Sequence, residues 1–527
     1  MPQIKILPPE LRNKIAAGEV IERPASVVKE LIENSLDAGS TDIRIDVLSG
    51  GKRLIKVSDN GYGMDRDDAI LCFERHATSK LSGEDDLSSV RTLGFRGEAL
   101  SSIASVSRVT LVTAARGVPL GISVELNGGV AREIREVPAI GTTVEVKDLF
   151  FNTPARRKFM KATATELYHI IDTVTRQSLA HPDTGFSLVT DHKETLHTPP
   201  ASDPKERIMQ IYGEDFVNGL TRAFSETDGI QCVAFISKST NFRSTKSHQF
   251  FFLNGRPIKD ASLSHAVYRA FEGLLPRDKH PIFFLFLDLD PLRVDVNVHP
   301  TKREVRFQDK EFVYRFVHEA IKSAVREERS EFTQQFAEPP MIATDRCASF
   351  HVSTVPNQGM AVAENLEFTY RPALPYLYLG DTFIALSGKG GLTLIDHHAV
   401  HERILFEKLL KGIQLNTHRL LFPKQVHLSQ KEYMIILRHV DALKDFGIEL
   451  EDFGHNTVII RSLPDILHHG DMQGILSDIA SHIDASLPPE KPLKETLAAK
   501  IACHSSIRGK EVVSQEELSS LLNDLEK

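Results

Sequence analysis

Cysteine is scarce in this chain. Only Cys72, Cys232, Cys347 and Cys503 occur in 527 residues, scattered and without a Cys-x-x-Cys pair, which argues against both a disulfide framework and a zinc ribbon. A reducing cytoplasm fits that usage. Long apolar runs are missing too: nothing approaches the ~20 residues of a membrane span, and the N-terminus lacks the basic and apolar regions of a secretory signal. A soluble protein with no membrane partner is expected. There is no excess of positive charge, since 63 Lys and Arg face 71 Asp and Glu for a net charge of −8. Any hold on nucleic acid must therefore come from local patches. No internal repeat stands out, and the length suggests about three domains of roughly 150 residues.

What the chain does have is concentrated near its start. The stretch from Glu22 to Gly39 reads as a helix with Pro24 in its first turn and Gly39 just past its end. Glu30, Asn34 and Asp37 then share one polar face, while Val28, Leu31, Ile32 and Leu36 supply apolar positions for packing. Ile43, Ile45 and Val47 alternate with polar residues, Gly50-Gly51 makes a turn, and Ile55 and Val57 resume the alternation of a hairpin. Its second strand delivers Asp59. Gly61 and Gly63 leave the backbone bare beside that carboxylate, open to a flat base or a phosphate. Taken alone, this is also compatible with an ordinary helix and a Gly-rich surface turn.

Three further runs add weight. Ala77-Thr78-Ser79-Lys80 leads into a polar loop. Gly94-Phe95-Arg96-Gly97-Glu98-Ala99-Leu100 closes that loop just before a helix start, where backbone N–H groups favour anions. Gly141-Thr142-Thr143-Val144 opens a strand that can return beneath an adenine pocket.

This ordered set resembles the four nucleotide-binding motifs of the GHKL ATPase superfamily, and the wording between the motifs is similar to that of the MutL (MutL/HexB) family of mismatch-repair proteins. Ile15-Ala16-Ala17-Gly18-Glu19-Val20, Phe252-Leu253-Asn254-Gly255-Arg256-Pro257 and Val296-Asn297-Val298-His299-Pro300-Thr301-Lys302 carry the same resemblance. It covers nearly all of residues 1–330 and resumes more loosely from about 375.

The resemblance implies an ATP-driven clamp or matchmaker that couples mismatch recognition by a MutS-like protein to strand processing. Glu30 would be the general base that activates the attacking water. Asn34 would hold Mg²⁺. Asp59 would accept from the exocyclic amine of adenine, with Thr143 in support. Asp37, Gly61, Gly63 and Lys80 belong to the same nucleotide site, and Gly94, Phe95, Arg96 and Gly97 to a lid over the phosphates. Lys302 would reach in from the second domain to the γ-phosphate, where charge shifts during phosphoryl transfer, and would make ATP and ADP favour different domain arrangements.

The implied fold class is α+β: a Bergerat-type α/β ATPase sandwich over residues 1–204, a ribosomal-S5-like domain over 205–330, a linker over 331–374 and an α/β dimerisation domain over 375–527. Strands are expected at Val109 to Val112, Leu120 to Leu126 and Thr142 to Lys147. In the second domain strands are expected at His248 to Leu253, Ile282 to Leu289 and Arg293 to Val298, with helices over 260–274 and 310–328. The linker follows from fading periodicity and from runs such as Glu338-Pro339-Pro340. Two basic patches are candidates for phosphate contacts: Arg156, Arg157 and Lys158, with Lys161, and the pair Arg256 and Lys259.

In the last domain, Leu392 to Ile395 reads as a strand ending in a helix from Asp396 to Glu407. His398 and Glu402 stand at i, i+4, a pattern able to hold a divalent metal, and Cys503 with His504 can add ligands from a distant segment. The spacing resembles the metal-dependent endonuclease motif of many MutL relatives. A zinc or manganese site of Asp396, His398, Glu402, Glu407 and Cys503 is the expectation. Two departures weigh against nicking. His397 stands where that motif has Gln, and no Cys-Pro-His-Gly-Arg-Pro run follows Cys503 before Lys527. A natural short form, a truncated sequence and a degenerate endonuclease stay open. His418 in His418-Arg419-Leu420-Leu421-Phe422-Pro423 replaces the Gln that opens a sliding-clamp motif, which argues against clamp binding and for a strand entering a turn at Pro423.

The alternatives are other GHKL proteins. A gyrase-type topoisomerase subunit would need a cleavage module, a sensor kinase a phospho-accepting histidine helix before the ATP domain, and a heat-shock chaperone lacks the Val296-to-Lys302 pattern. A cytoplasmic, nucleoid-associated homodimer that hydrolyses ATP slowly is the reading carried forward.

Overall fold

The computed structural model describes residues 18, 20–80, 92–94, 97–227, 229–238, 241–276, 279–295, 305–335, 376–379, 383–388, 391–411, 417–454, 456–467, 472–483 and 493–505. Helix α1 (Pro24–Asp37) opens as its sequence demands, with Pro24 at the first helical position and Gly39 in the left-handed region just after the end. Strands β1 (Asp42–Leu48) and β2 (Leu54–Asp59) form the expected hairpin around Ser49–Gly51, with Gly50 and Gly51 both at positive φ.

Six more strands complete the sheet: β3 (Arg108–Thr113), β4 (Leu120–Asn127), β5 (Val130–Pro138), β6 (Thr142–Lys147), β7 (Gly185–Thr190) and β8 (Lys193–Thr198). Their order is β5-β4-β3-β6-β2-β1-β7-β8, antiparallel throughout except where β1 meets β7. Helix α2 (Thr163–Ala180), β5, β7 and β8 go beyond the elements read from the sequence. Val28, Leu31 and Ile32 of α1 share one core with Ile45, Val57 and Val144 of the sheet and with Ile170 and Val174 of α2. That core fixes α1 against the sheet, and with it the polar face of α1.

A second sheet follows helix α3 (Pro204–Tyr212): β9 (Leu220–Thr227), β10 (Ile230–Ser237), β11 (Gln249–Leu253), β12 (Arg256–Ile258) and β13 (Phe283–Leu289), in the order β12-β11-β13-β10-β9. Its inner strands are apolar on both sides, as a sheet covered on both faces requires. Phe251, Leu253, Leu285 and Leu287 meet helices α4 (Ala261–Ala270) and α5 (Lys310–Gln335), while Phe250, Phe252 and Phe284 meet α3 and the end of α2. Of the expected strand from Arg293 to Val298, Val294–Asp295 pairs with Arg306–Phe307, Arg293 ends the short 3-10 turn Pro291–Arg293, and 296–298 lie outside the described residues.

Further on, β14 (Tyr376–Leu379), β15 (Phe383–Gly388) and β16 (Gly391–Asp396) form an antiparallel sheet that leads into α6 (His397–Leu410). A separate sheet has β19 (Thr457–Pro464) between β17 (Thr417–His427) and β18 (Glu449–Gly454), with helices α7 (Gln430–Arg438) and α8 (Met472–His482). No turn interrupts β17 at Pro423. The strand instead bulges between Arg419 and Lys424, leaving Leu421 and Phe422 exposed.

The chain divides into two compact units, one of residues 1–328 and 416–497, the other of 329–415 and 498–527. Both units include residues from the stretch 375–527. No described helix is long and apolar enough to cross a membrane.

Candidate functional site

Lys80 joins the first two motifs. Its ammonium donates to Asn34 Oδ1 at 3.0 Å and to Asp37 Oδ2 at 2.6 Å, so two of the three residues on the polar face of α1 converge on one cation. Asp37 goes further. Its Oδ1 accepts from Leu93 N at 2.8 Å and its Oδ2 from Gly94 N at 2.9 Å, tying the downstream glycine segment to α1. A Cβ at Gly94 would lie 3.1 Å from Lys80 Nζ. Glu30, one turn earlier, is largely shielded, with Lys29 Nζ 3.6 Å from its Oε1.

The oxygens that hold Lys80 are the kind that Mg²⁺ prefers. The ammonium occupies a place suited to a hard cation, so the donor set fits the metal inferred from the sequence.

Asp59, at the end of β2, is oriented from both sides. Its Oδ2 accepts from Ser35 Oγ at 2.7 Å and its Oδ1 from Gly61 N at 2.9 Å. An ionised carboxylate has about four acceptor positions, which leaves capacity for an exocyclic amine. Ser35 is a site residue that the sequence reading missed; its place one residue after Asn34 on a helix facing β2 was the available signal.

Thr143 requires a correction. Directly paired residues in a sheet share a face, and β2 pairs with β6 in the register Asp59 to Thr142 and Ser58 to Thr143. Thr143 therefore lies on the face opposite Asp59 and donates to Ser58 Oγ at 3.0 Å. Thr142 takes the position that was expected of Thr143. It is buried, and its hydroxyl is bonded to that of Thr113 at 2.9 Å, which in turn accepts from Met64 N at 3.0 Å.

The two glycines after Asp59 also have a packing reason inside the protein. A Cβ at Gly61 would meet the Ala38 carbonyl at 2.8 Å, and one at Gly63 would overlap that of Ala114. Close backbone approach within the protein demands these glycines. Gly97, at positive φ, likewise abuts the Ala77 carbonyl. Phe95, Arg96 and Lys302 lie outside the described residues.

The turn Asn254-Gly255-Arg256 of the second sheet comes to the base of this site. The Arg256 guanidinium donates to the Thr92 carbonyl, two residues before Gly94. Burial pulls its pKa down, against the opposing pull of Glu33 and Asp37. His181 packs on Gly255, and burial lowers its pKa despite Asp183 and Asp37. Arg256 was expected at a DNA phosphate; it is instead turned inward, because a buried guanidinium needs the carbonyl and the carboxylates found there. Arg156 is packed against Gly18. Arg157, Lys158 and Lys259 are exposed.

The C-terminal metal residues are not brought together. Among the described residues no three His, Cys, Asp or Glu side chains form a group able to hold a metal ion. Asp396 caps α6, its Oδ1 accepting from Ala399 N at 3.1 Å, and Glu407 accepts from Arg403 Nε at 2.8 Å. His397 is buried in the first turn of α6. His398 and Glu402 are half-buried on the same helix, and Cys503 is half-buried on the helix Leu493–Ser505.

Comparison with known proteins adds to this geometry. Residues 21–145 match the model of the histidine kinase-, DNA gyrase B-, and HSP90-like ATPases. Residues 208–326 match that of the DNA mismatch repair protein C-terminal domain, and 377–512 that of the MutL C terminal dimerisation domain. The DNA mismatch repair protein MutL of Thermodesulfovibrio yellowstonii is 39% identical over 531 residues, covering 100% of this chain and 95% of that protein. Its counterpart in Geotalea daltonii is 38% identical, covering 99% of this chain and 95% of the relative. Among solved structures, the N terminal domain of a DNA repair protein aligns with a TM-score of 0.53 at 25% identity, over 61% of this chain and 99% of that one.

Proposed function

Since this chain belongs to the MutL family of DNA mismatch-repair proteins and carries its ATPase and dimerisation domains, we propose that it works as a homodimeric clamp closed by Mg²⁺-ATP. The observation that carries this reading is the Lys80 ammonium held between Asn34 and Asp37, with Leu93 and Gly94 drawn onto the same carboxylate. Asn34 Oδ1 is the proposed Mg²⁺ ligand. The metal, when bound, neutralises phosphate oxygen charge.

Displaced from Asn34, Lys80 is free to pair with phosphate, and Gly94 with Gly97 would line the lid. Asp59 would select adenine through its exocyclic amine, held in place by Ser35 and Gly61, with Thr142 on the same face. Glu30 would take the proton of the attacking water, and Lys302 would meet the γ-phosphate from the second domain. Residues 1–204, 205–330, 331–374 and 375–527 are the proposed ATPase, second, linker and dimerisation regions.

DNA, mismatch-containing or single-stranded, would follow Arg157, Lys158 and Lys259 through salt-sensitive phosphate contacts. The clamp would pass the signal of a MutS-like protein to strand processing in the cytoplasm. Glu30→Ala is expected to bind ATP with near wild-type affinity and to hydrolyse it at least about 100-fold more slowly, the scale of a lost general base. Hydrolysis at the wild-type rate would remove Glu30 from the mechanism.

A further inference from the structure

Residues 416–497 lie against the N-terminal half of the chain, in the same compact unit, although some 90 residues separate them from it in sequence. We propose that they form a docking module whose partner is the surface made by α2, the end of α3 and residues 244–248, held there by a buried latch between His248 and Glu432. His248 Nε2 lies 3.3 Å from Glu432 Oε1, and both side chains are under one-tenth exposed.

The carboxylate belongs to the module and the imidazole to its partner. Glu432 also accepts from Ser429 Oγ at 2.7 Å and from Ser477 Oγ, both within the module. On the other side, Ser247 Oγ bonds His248 Nδ1 at 2.9 Å, and the Tyr212 and Phe216 rings enclose the imidazole.

Further contacts come from separate elements. Ser247 Oγ lies 3.1 Å from Ser481 Oγ, and Ser244 N donates to Asp478 Oδ1 at 3.4 Å. Gln473 Nε2 donates to the Tyr212 carbonyl at 3.3 Å, and Lys431 Nζ sits 4.0 Å over the Tyr168 ring of α2. Met434 packs against the core of the ATPase layer, while the hydrogen bonds gather around one imidazole–carboxylate pair. Such interfaces resemble transient protein contacts more than a domain core, and a buried carboxylate tolerates its position only while its partners stay. The chemistry is that of a releasable seat.

Its location gives release a consequence. Tyr168 and Asp172 lie on α2, beside the module, and α2 packs along α1, where Gln177 Nε2 reaches Glu33 Oε1 at 3.4 Å. The module thus rests on the helix that supports the one bearing Glu30 and Asn34. Only this consequence depends on the ATPase reading; the dock itself does not.

The test uses the full chain with Ser247→Cys and Ser481→Cys together. Their hydroxyls are close enough for the replacing thiols to bridge. Mild oxidation without nucleotide is expected to give a faster-migrating monomer on a non-reducing gel, reversed by dithiothreitol and absent from either single variant. Adding His248→Gln, which leaves the helix cap Ser429–Glu432 intact, should lower the yield at least fivefold. The proposal is overturned if both thiols stay open to maleimide, if the product is a covalent dimer, or if His248→Gln leaves the yield unchanged. A melting curve for each variant separates undocking from misfolding, and ATP binding measured apart keeps a failure of the ATPase reading distinct.

Discussion

Thr142 and Thr143 are neighbours with the same side chain, and the pleat of β6 sends them to opposite faces of the sheet. Only Thr142 shares a face with Asp59 and joins the chain of hydroxyls through Thr113 to Met64 N. Thr142→Val should therefore weaken ATP binding by about five- to tenfold, the value of roughly one buried hydrogen bond, while Thr143→Val should change it less than twofold. Titration calorimetry with a non-hydrolysable ATP analogue decides between them. Residue types in order named the motif, but the choice between adjacent threonines needed a register. Arg256 makes the same point, since nothing in Asn254-Gly255-Arg256-Pro257 says that its guanidinium turns toward Thr92.

At the scale of elements, α3 packs on the end of α2 through Ile208 and Ile211, and one buried polar side chain ties it to the ATPase layer. Arg207 is fully buried, with Nη1 donating to Ser178 Oγ at 2.5 Å and Nη2 to the carbonyls of Pro182 at 2.8 Å, Thr184 at 2.8 Å and Pro199 at 3.0 Å. Burial lowers its pKa to about 10. Arg207→Ala would strand those carbonyls, and a loss of about 3–5 kcal/mol is expected in urea unfolding.

The sheet of β14 to β16 raises a different question. Leu392 and Leu394, two residues apart on β16, point to one face and stay exposed, as does Phe383 on β15. An exposed apolar strand face in a dimerisation domain has a natural occupant, the second copy. Leu392→Asp with Leu394→Asp should turn the dimer into a monomer by light scattering and leave ATP affinity unchanged. Helix α1 and the β1–β2 hairpin were legible in advance because their signals are local: Pro24 at a helix start, Gly39 at its end, and strict alternation around Gly50-Gly51. Helix α2 carries no comparable punctuation, and it was not.

For the whole molecule, the seating of residues 416–497 adds a dependence on pH. Burial by itself raises the Glu432 pKa, but the hydrogen bond and charge of His248, with the bonds from Ser477 and Ser429, outweigh it and hold the pKa at about 2, below the ordinary 4.5. A depressed carboxyl pKa stabilises the folded form above its unfolded value and loses that effect as pH falls through the folded value. The melting temperature of the wild type should exceed that of Glu432→Gln near neutrality, and the gap should close as pH drops from about 4.5 toward 2. A gap that persists at the acid end would remove the latch from the stability of the dock.

The sequence by itself determined the family, the order of the nucleotide motifs and the polar face of α1, because each depends on residue types at short and regular spacings. Only the tertiary structure decided which threonine faces Asp59, that Asp396 caps its own helix, that Arg256 is buried and that residues 416–497 join the N-terminal half. Those outcomes depend on strand register and on contacts between residues far apart in the chain, which local patterns do not encode.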